Sequence, residues 1–190
     1  MFIVKNKYFL IIESIKDLDL KNIKIRDKFS IIYRYKKITG VNYDLIQFRQ
    51  KCKLKAIKFY VANDFKLASL LNADGIYLSS YNKKLKFLSY KKPNFDIIGS
   101  AHNHKEISLK IRQGCTSILF SKLFLVNYDK NSPYFGVVKF NTFLKKSKKL
   151  IPLGGINIKN LNQLKNIYSE GFALLSEVKK KPTKIFSRLF

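Results

Sequence analysis

Leu150-Ile-Pro-Leu-Gly-Gly-Ile156, followed one helix-length later by Gly171-Phe-Ala-Leu-Leu-Ser176, is the stretch on which the reading of this chain turns. An apolar run that ends in paired glycines sets backbone N–H groups where phosphate oxygens can approach, and a following helix N-terminus adds a favourable dipole. In a (β/α)8 barrel the loops after strands 7 and 8 form such a phosphate cradle. Paired glycines also serve strand-to-helix turns for steric reasons alone, so the motif has to be weighed with the rest of the chain.

Upstream, short β-branched or aromatic runs alternate with longer segments of helical period, the pattern of βα units and a parallel sheet. Strands are expected near 8–13, 29–34, 57–62, 75–79, 96–100, 117–121, 150–154 and 171–175. Helices are expected at 17–27, 41–55, 64–72, 104–113, 137–147 and 157–168, with a short irregular stretch around 83–90. The fold class that follows is α/β, a compact single-domain (β/α)8 TIM barrel over residues 1–178, with 179–190 as a basic C-terminal tail. At 190 residues the chain is short for a barrel that usually needs about 250, so its loops must be short. Apolar residues make up 46% of it, which with the sustained periodicity argues against a disordered polycation.

The formal net charge of +26 would ordinarily raise nucleic acid or a membrane surface as a partner. Only five of the 38 basic residues are arginine, the residue that bidentate phosphate and base recognition favours. The remainder are lysines dispersed among Ile, Asn, Tyr and Phe, a mixture that A/T-rich codons encode, so composition accounts for much of the charge and a nucleic-acid partner is not expected. Cys52 and Cys115 stand apart without C-x-x-C spacing, and His102 and His104 do not complete a zinc site. Reduced thiols and a cytoplasmic location are the plain reading. The apolar amino terminus is broken by Lys5 and Lys7 and reads as a first strand, and no run reaches the roughly 18 apolar residues of a membrane span.

A parallel barrel places its chemistry at the carboxyl ends of the strands. There the chain offers Arg34 and Lys36 after strand 2, Asn63 and Asp64 after strand 3, and Ser100 and His102 at strand 5. Lys130 follows strand 6, Gly154 and Gly155 follow strand 7, and Ser176 follows strand 8. Arg34 and Lys36 are two apart and project to one face if the strand continues, two cations suited to a pyrophosphate. Asp64 is an oxygen ligand for Mg2+, which takes one or two carboxylates and completes its shell with water and phosphate. Each also has a structural reading: Arg-x-Lys as a solvated strand end, Asn63-Asp64 as a helix cap, His102 as a cap or surface residue. Their joint placement at successive strand ends favours one site.

The order of these motifs resembles the thiamine phosphate synthase family and its thiazole tautomerase-like relatives. Arg34-Tyr-Lys36, Asn63-Asp64 with Ala68 and Ala73-Asp-Gly75, Gly75-Ile-Tyr-Leu78, Ser100-Ala-His102, Gly154-Gly-Ile-Asn157 and Asn160-Leu161 carry the resemblance over about residues 8 to 178. It implies coupling of hydroxymethylpyrimidine pyrophosphate to thiazole phosphate with loss of pyrophosphate, assisted by Mg2+. Carried over, Arg34, Lys36, Asn63 and Lys130 contact pyrophosphate and Asp64 holds the metal. Ser100 faces the pyrimidine, with His102 beside it, and Gly154, Gly155 and Ser176 hold the thiazole phosphate.

The chain departs from that pattern at Ile32, where a glutamine is usual two residues before the arginine, and in three further places. Tyr77 replaces a histidine, Asn82 falls where the synthases have a second metal-binding aspartate, and Ser121-Lys-Leu-Phe124 with Leu125-Val-Asn-Tyr-Asp129 replaces a Gly-Pro and Thr-rich segment. Lys122 stands where the tautomerase-like proteins can carry a histidine. Three readings stay open: a synthase, a family member that binds related phosphates or performs another step, and a basic polyanion- or partner-binding barrel. Small phosphorylated molecules are the expected ligands, no membrane is involved, and a homo-oligomer is left open.

Overall fold

In the computed structural model, residues 5–23, 27–35, 43–85, 95–126, 129 and 131–180 are described. Eight parallel strands close on themselves in sequence order: β1 (Lys7–Ile12), β2 (Phe29–Tyr33), β3 (Lys58–Ala62), β4 (Gly75–Leu78), β5 (Asp96–Ala101), β6 (Ser117–Ser121), β7 (Leu150–Leu153) and β8 (Gly171–Leu174). Each expected strand is found, displaced by at most one residue at an end. Helices α1 (Tyr43–Leu54), α2 (Phe65–Leu70), α3 (His104–Arg112), α4 (Gly136–Lys146) and α5 (Ser176–Lys180) complete the α/β barrel. The short α5 takes in the first two residues of the expected tail, and 181–190 lie outside the described residues.

Strand parity sorts the core into two layers. Phe9, Ile11, Ile32, Tyr60, Tyr77, Ile98, Leu119, Ile151 and Ala173 fill the barrel interior. Their neighbours, Tyr8, Leu10, Ile31, Phe59, Ile76, Ile97, Phe120 and Phe172, pack outward against the helices. This is the two-residue alternation of a strand closed into a small barrel, where the lumen is a packed core. The parity also fixes which side chains reach the rim: Ser100 and Ser121 share the inward parity of Ile98 and Leu119.

Two expected helices are replaced by tighter turns. Over 17–27 the chain forms 3-10 turns at Ile15–Asp17 and Leu20–Asn22, and 24–26 lie outside the described residues. Asp17 accepts from the amides of Glu13 and Ser14 at 2.8 and 2.9 Å, and Asp19 from that of Lys21 at 2.9 Å, so acidic side chains take the amides that begin each turn. Over 157–168 a 3-10 helix spans only Leu161–Asn166. Asn160 accepts from the amide of Asn157 at 2.9 Å and donates to the Gly155 carbonyl at 2.7 Å, anchoring the segment before it can wind as an α-helix. Lys83–Leu85 carry no regular structure, and 86–90 lie outside the described residues. Among the described residues no helix is long and apolar enough to cross a membrane.

Barrel closure demands a residue without a side chain where β8 meets β1. A Cβ on Gly171 would run into the Lys7 carbonyl group, lying 2.7 Å from its carbon and 2.9 Å from the Lys7 Cβ. Gly171→Ala is therefore expected to cost about 2–3 kcal/mol through forced overpacking, whereas Val138→Ala on the exposed face of α4 should stay within about 0.5 kcal/mol of the parent. Denaturant midpoints of the two variants measure the contrast.

Candidate active site

At the carboxyl rim two adjoining cavities, of about 370 and 380 Å³, share Arg34 and Tyr81 as a common wall. The first is bordered by Arg34, Tyr35, Asn63, Asp64, Asn82 and Lys84. The second lies over the barrel axis and is bordered by Tyr77, Ser100, His102, Lys122, Gly154, Gly155 and Ser176 among others. The structure thus brings Arg34, Asn63, Asp64, Ser100, His102, Gly154, Gly155 and Ser176 to one rim. Lys36 and Lys130 lie outside the described residues.

Arg34 leaves β2 with its amide bonded to the Ile12 carbonyl at 2.8 Å, and its Nη2 donates to Glu13 Oε1 at 3.1 Å. The carboxylate orients one edge of the guanidinium, whose five donors leave others for a ligand. Asp64 performs two tasks at once. Its Oδ1 accepts the Leu67 amide at 2.9 Å as the N-cap of α2, and its Oδ2 accepts the Tyr35 hydroxyl at 2.8 Å. Burial, aided by the bond to Asp64, pushes the Tyr35 hydroxyl up to about 12, so it remains a donor near neutrality.

Asn63 sits at φ 59°, in the left-handed region that asparagine tolerates. From there its Oδ1 accepts from the Ser79 amide and from Asn82 Nδ2, both at 3.0 Å, while its Nδ2 donates to Tyr81 at 3.1 Å and to the Ser79 hydroxyl. Asn63 therefore ties the end of β3 to the loop after β4, with both amide hydrogens engaged. In the second cavity the buried Ser100 hydroxyl meets that of Tyr77. Burial above all raises the Tyr77 pKa, opposed by Ser100 and by the Arg34 charge.

His102 Nδ1 lies 3.0 Å from Glu106 Oε2, which also accepts the His102 amide at 2.8 Å. Asn103 caps α3 through the Glu106 amide at 3.0 Å and donates to that carboxylate at 2.9 Å, so the cap falls one residue after the histidine. Burial would raise the Glu106 carboxyl, but the hydrogen bonds from His102 and its charge, with Asn103, bring it below its ordinary value.

Gly154 and Gly155 adopt φ 95° and 70°. A Cβ on Gly155 would crowd the Phe124 carbonyl and lie 2.5 Å from the Leu125 oxygen. The steric reading of the pair is thus satisfied, and both glycines line the second cavity as well. Ser176 opens the short α5 beside Glu177 at the same rim.

The reading from sequence had no signal for Tyr35, Ser79 or Tyr81 as site residues, because each acts through a neighbour distant along the chain. It had singled out Lys122 only by position. Lys122, which borders the second cavity, bonds through its Nζ to Asp129 Oδ2 at 2.7 Å and to Ser132 Oγ at 2.6 Å. Asp129 is therefore committed to Lys122 and does not border the first cavity in place of the carboxylate that Asn82 lacks.

The donor set for a metal is correspondingly spare. Among the described residues no group of three or more His, Cys, Asp or Glu side chains is close enough to hold an ion. Asp64 still has unshared lone pairs after its two hydrogen bonds, since a carboxylate offers about four acceptor sites. A single carboxylate fits Mg2+ when water and phosphate oxygens fill the rest of the shell.

Comparison with known proteins places the fold and the family. Thiamine-phosphate synthase of Prochlorococcus marinus strain AS9601 is 29% identical over 190 residues, covering 94% of this chain and 50% of that protein. The enzyme of the same name from P. marinus subsp. pastoris is 28% identical over 82% of this chain and 44% of its own length, so the chain spans about half the length of these relatives. The fold matches thiamine phosphate pyrophosphorylase from Pyrococcus furiosus with a TM-score of 0.72 at 17% identity, over 97% of this chain and 93% of that one. It also matches 3-keto-L-gulonate-6-phosphate decarboxylase from Vibrio cholerae at 0.66 and 11% identity, covering 98% and 96% of the two chains. The sequence profile described as thiamine monophosphate synthase covers residues 12–178, and on that match the chain belongs to the thiamine monophosphate synthase family.

Proposed function

We propose that this chain carries out the coupling that gives the family its name, joining hydroxymethylpyrimidine pyrophosphate to thiazole phosphate in thiamine biosynthesis. The observation that carries the reading is the pair of adjoining cavities with Arg34 in their common wall. A phosphorylated leaving group in the first and a ring nucleophile in the second would meet at that wall. The thiazole nitrogen lone pair forms the new C–N bond as the methylene C–O bond breaks, and the electron pair departs on pyrophosphate. No proton need leave the nitrogen, and no enzyme nucleophile is consumed.

The charge that develops is on the leaving oxygen, so cationic groups do the chemical work. Arg34 and Lys84 border the cavity for pyrophosphate, and Lys36 and Lys130 join them on the family resemblance. Asn63 acts there by holding the loop that carries Tyr81 and Asn82. Mg2+ would be held by Asp64 and, when bound, neutralises part of the pyrophosphate charge. Ser100 and His102 face the pyrimidine, with Tyr77 bonded to Ser100. Gly154, Gly155 and Ser176 take the thiazole phosphate. A cytoplasmic site of action suits two free cysteines, both buried, with burial raising each thiol to about 12.

One observation favours a second reading, in which the protein binds these phosphates without coupling them. Among the described residues the first cavity has Asp64 as its carboxylate, and Asn82 and Lys84 also border it. Incubation of the purified protein with both substrates and Mg2+, following thiamine phosphate and pyrophosphate, separates the two. Mg2+-dependent product supports the synthase, and thiazole phosphate binding with no product moves the chain to the second reading.

Two variants sharpen the assay. Arg34→Ala should lower kcat/KM by about 100- to 1000-fold, the scale of losing one donor to a developing oxyanion, with the fold intact. Asp64→Asn keeps a good helix cap, so its unfolding free energy from denaturant titration should change by less than about 1 kcal/mol while the response to added Mg2+ disappears. Retention of full activity in both would remove these residues from the site.

A further inference from the structure

A lysine with no exposed surface lies beneath the first cavity. Lys110 on α3 is 0% exposed, as is Gln113 one turn later. Lys110 Nζ donates to the Ser79 carbonyl at 2.7 Å, the Asn82 carbonyl at 2.9 Å and Gln113 Oε1 at 2.9 Å. Gln113 Nε2 donates to the carbonyls of Asn82 and Lys84, both at 2.9 Å. An ammonium has three protons and a side-chain amide two, so every donor of the pair is spent on this cluster. β5 is shaped to admit it: a Cβ on Gly99 would lie 2.8 Å from the Lys110 Cδ and 3.2 Å from its Cγ.

Every acceptor in the cluster is a neutral carbonyl oxygen. A buried cation with no carboxylate bonded to it is a costly way to fill space that an apolar side chain could occupy. What the ammonium supplies is a fixed backbone. Residues 79–85 have no helix or strand of their own, yet Ser79, Tyr81, Asn82 and Lys84 border one cavity or the other. The clamp turns three carbonyls of this loop toward α3. With those carbonyls fixed, the loop holds Tyr81, Asn82 and Lys84 at the first cavity and Ser79 and Ser80 at the second.

We propose that Lys110 and Gln113 are positioning residues that hold the loop after β4 in the conformation that accepts pyrophosphate. The proposal rests on the assignment of the first cavity to pyrophosphate. It differs from a purely structural role in predicting an effect confined to one ligand. In the full chain, Lys110→Met keeps the length of the stem and removes the ammonium. It should weaken binding of inorganic pyrophosphate, read by calorimetry with Mg2+ present, by at least about tenfold. The KM for the pyrimidine pyrophosphate should rise in parallel, with that for thiazole phosphate within about twofold, and amides of 79–85 should exchange hydrogen faster. Gly99→Ala, which displaces the stem, should reproduce this pattern.

If Lys110→Met fails to fold, Gln113→Leu carries the same measurements, since it removes only the amide end of the clamp. A folded variant with unchanged pyrophosphate affinity, or one that loses both ligands equally, overturns the proposal. Parent protein that binds pyrophosphate but forms no thiamine phosphate defeats the synthase reading and leaves the clamp to be judged by calorimetry. Parent protein that binds no pyrophosphate overturns both.

Discussion

The closure of β8 onto β1 is the constraint from which the rest follows. Lys7 pairs with Gly171 and Leu10 with Leu174, all in parallel register, and the ring is complete only because Gly171 brings no side chain against the Lys7 backbone. Once eight strands run one way around a closed ring, their carboxyl ends share a single rim. Parity then decides which side chains turn inward there, and a chain this short has few loop residues to add. The site must be assembled from the last inward residue of each strand and the few positions beyond it.

That constraint explains what could be read from sequence. The strands were legible because each is a short β-branched or aromatic run whose residues are buried on both faces, such as Phe29–Tyr33. Arg34, Asp64, Ser100 and Gly154 were legible as the polar or flexible residues that end such runs. The segments 17–27 and 157–168 misled because their apolar spacing is helical while Asp17, Asp19, Asn157 and Asn160 compete for local backbone groups. Partnerships were not legible at all. Tyr35 meets Asp64 across 29 positions and Lys110 meets Ser79 across 31, distances along the chain that no local pattern encodes. Lys110 itself reads as one more lysine on an amphipathic helix, and only the bare α-carbon of Gly99 opposite it hints that its stem turns inward.

The rim also bears on the charge, which composition explains only in bulk. Its acids are few and mostly engaged: Glu13 with Arg34, Glu106 with His102, Asp129 with Lys122, and Asp64 with Tyr35 and a helix cap. Ion pairs of this kind add little to stability where they face solvent, but they hold cations in fixed positions. Arg34 is oriented and Lys122 is pinned before any ligand arrives. A site with its positive groups already in place loses less to reorganisation when an anion binds.

On the synthase reading, this arrangement also constrains how the metal would arrive. A cavity with two carboxylates could hold Mg2+ ahead of substrate, because the protein alone would offset the ion's charge. Here the first cavity carries one carboxylate, Asp64, beside Lys84 and an Arg34 already paired with Glu13, so these side chains hold no surplus of negative charge before any metal enters. Free Mg2+ meets little net attraction in such a place, whereas pyrophosphate brings several oxygens suited to the ion. The same shortage of acid that weakens a resident metal site therefore strengthens the case for metal and pyrophosphate entering together, with Asp64 as the carboxylate that the described residues would contribute to the ion's shell. Replacing one acid by Asn82 need not disable the chemistry. It transfers the task of binding the ion from the protein to its substrate, and leaves the protein to hold the loop on which that substrate lands.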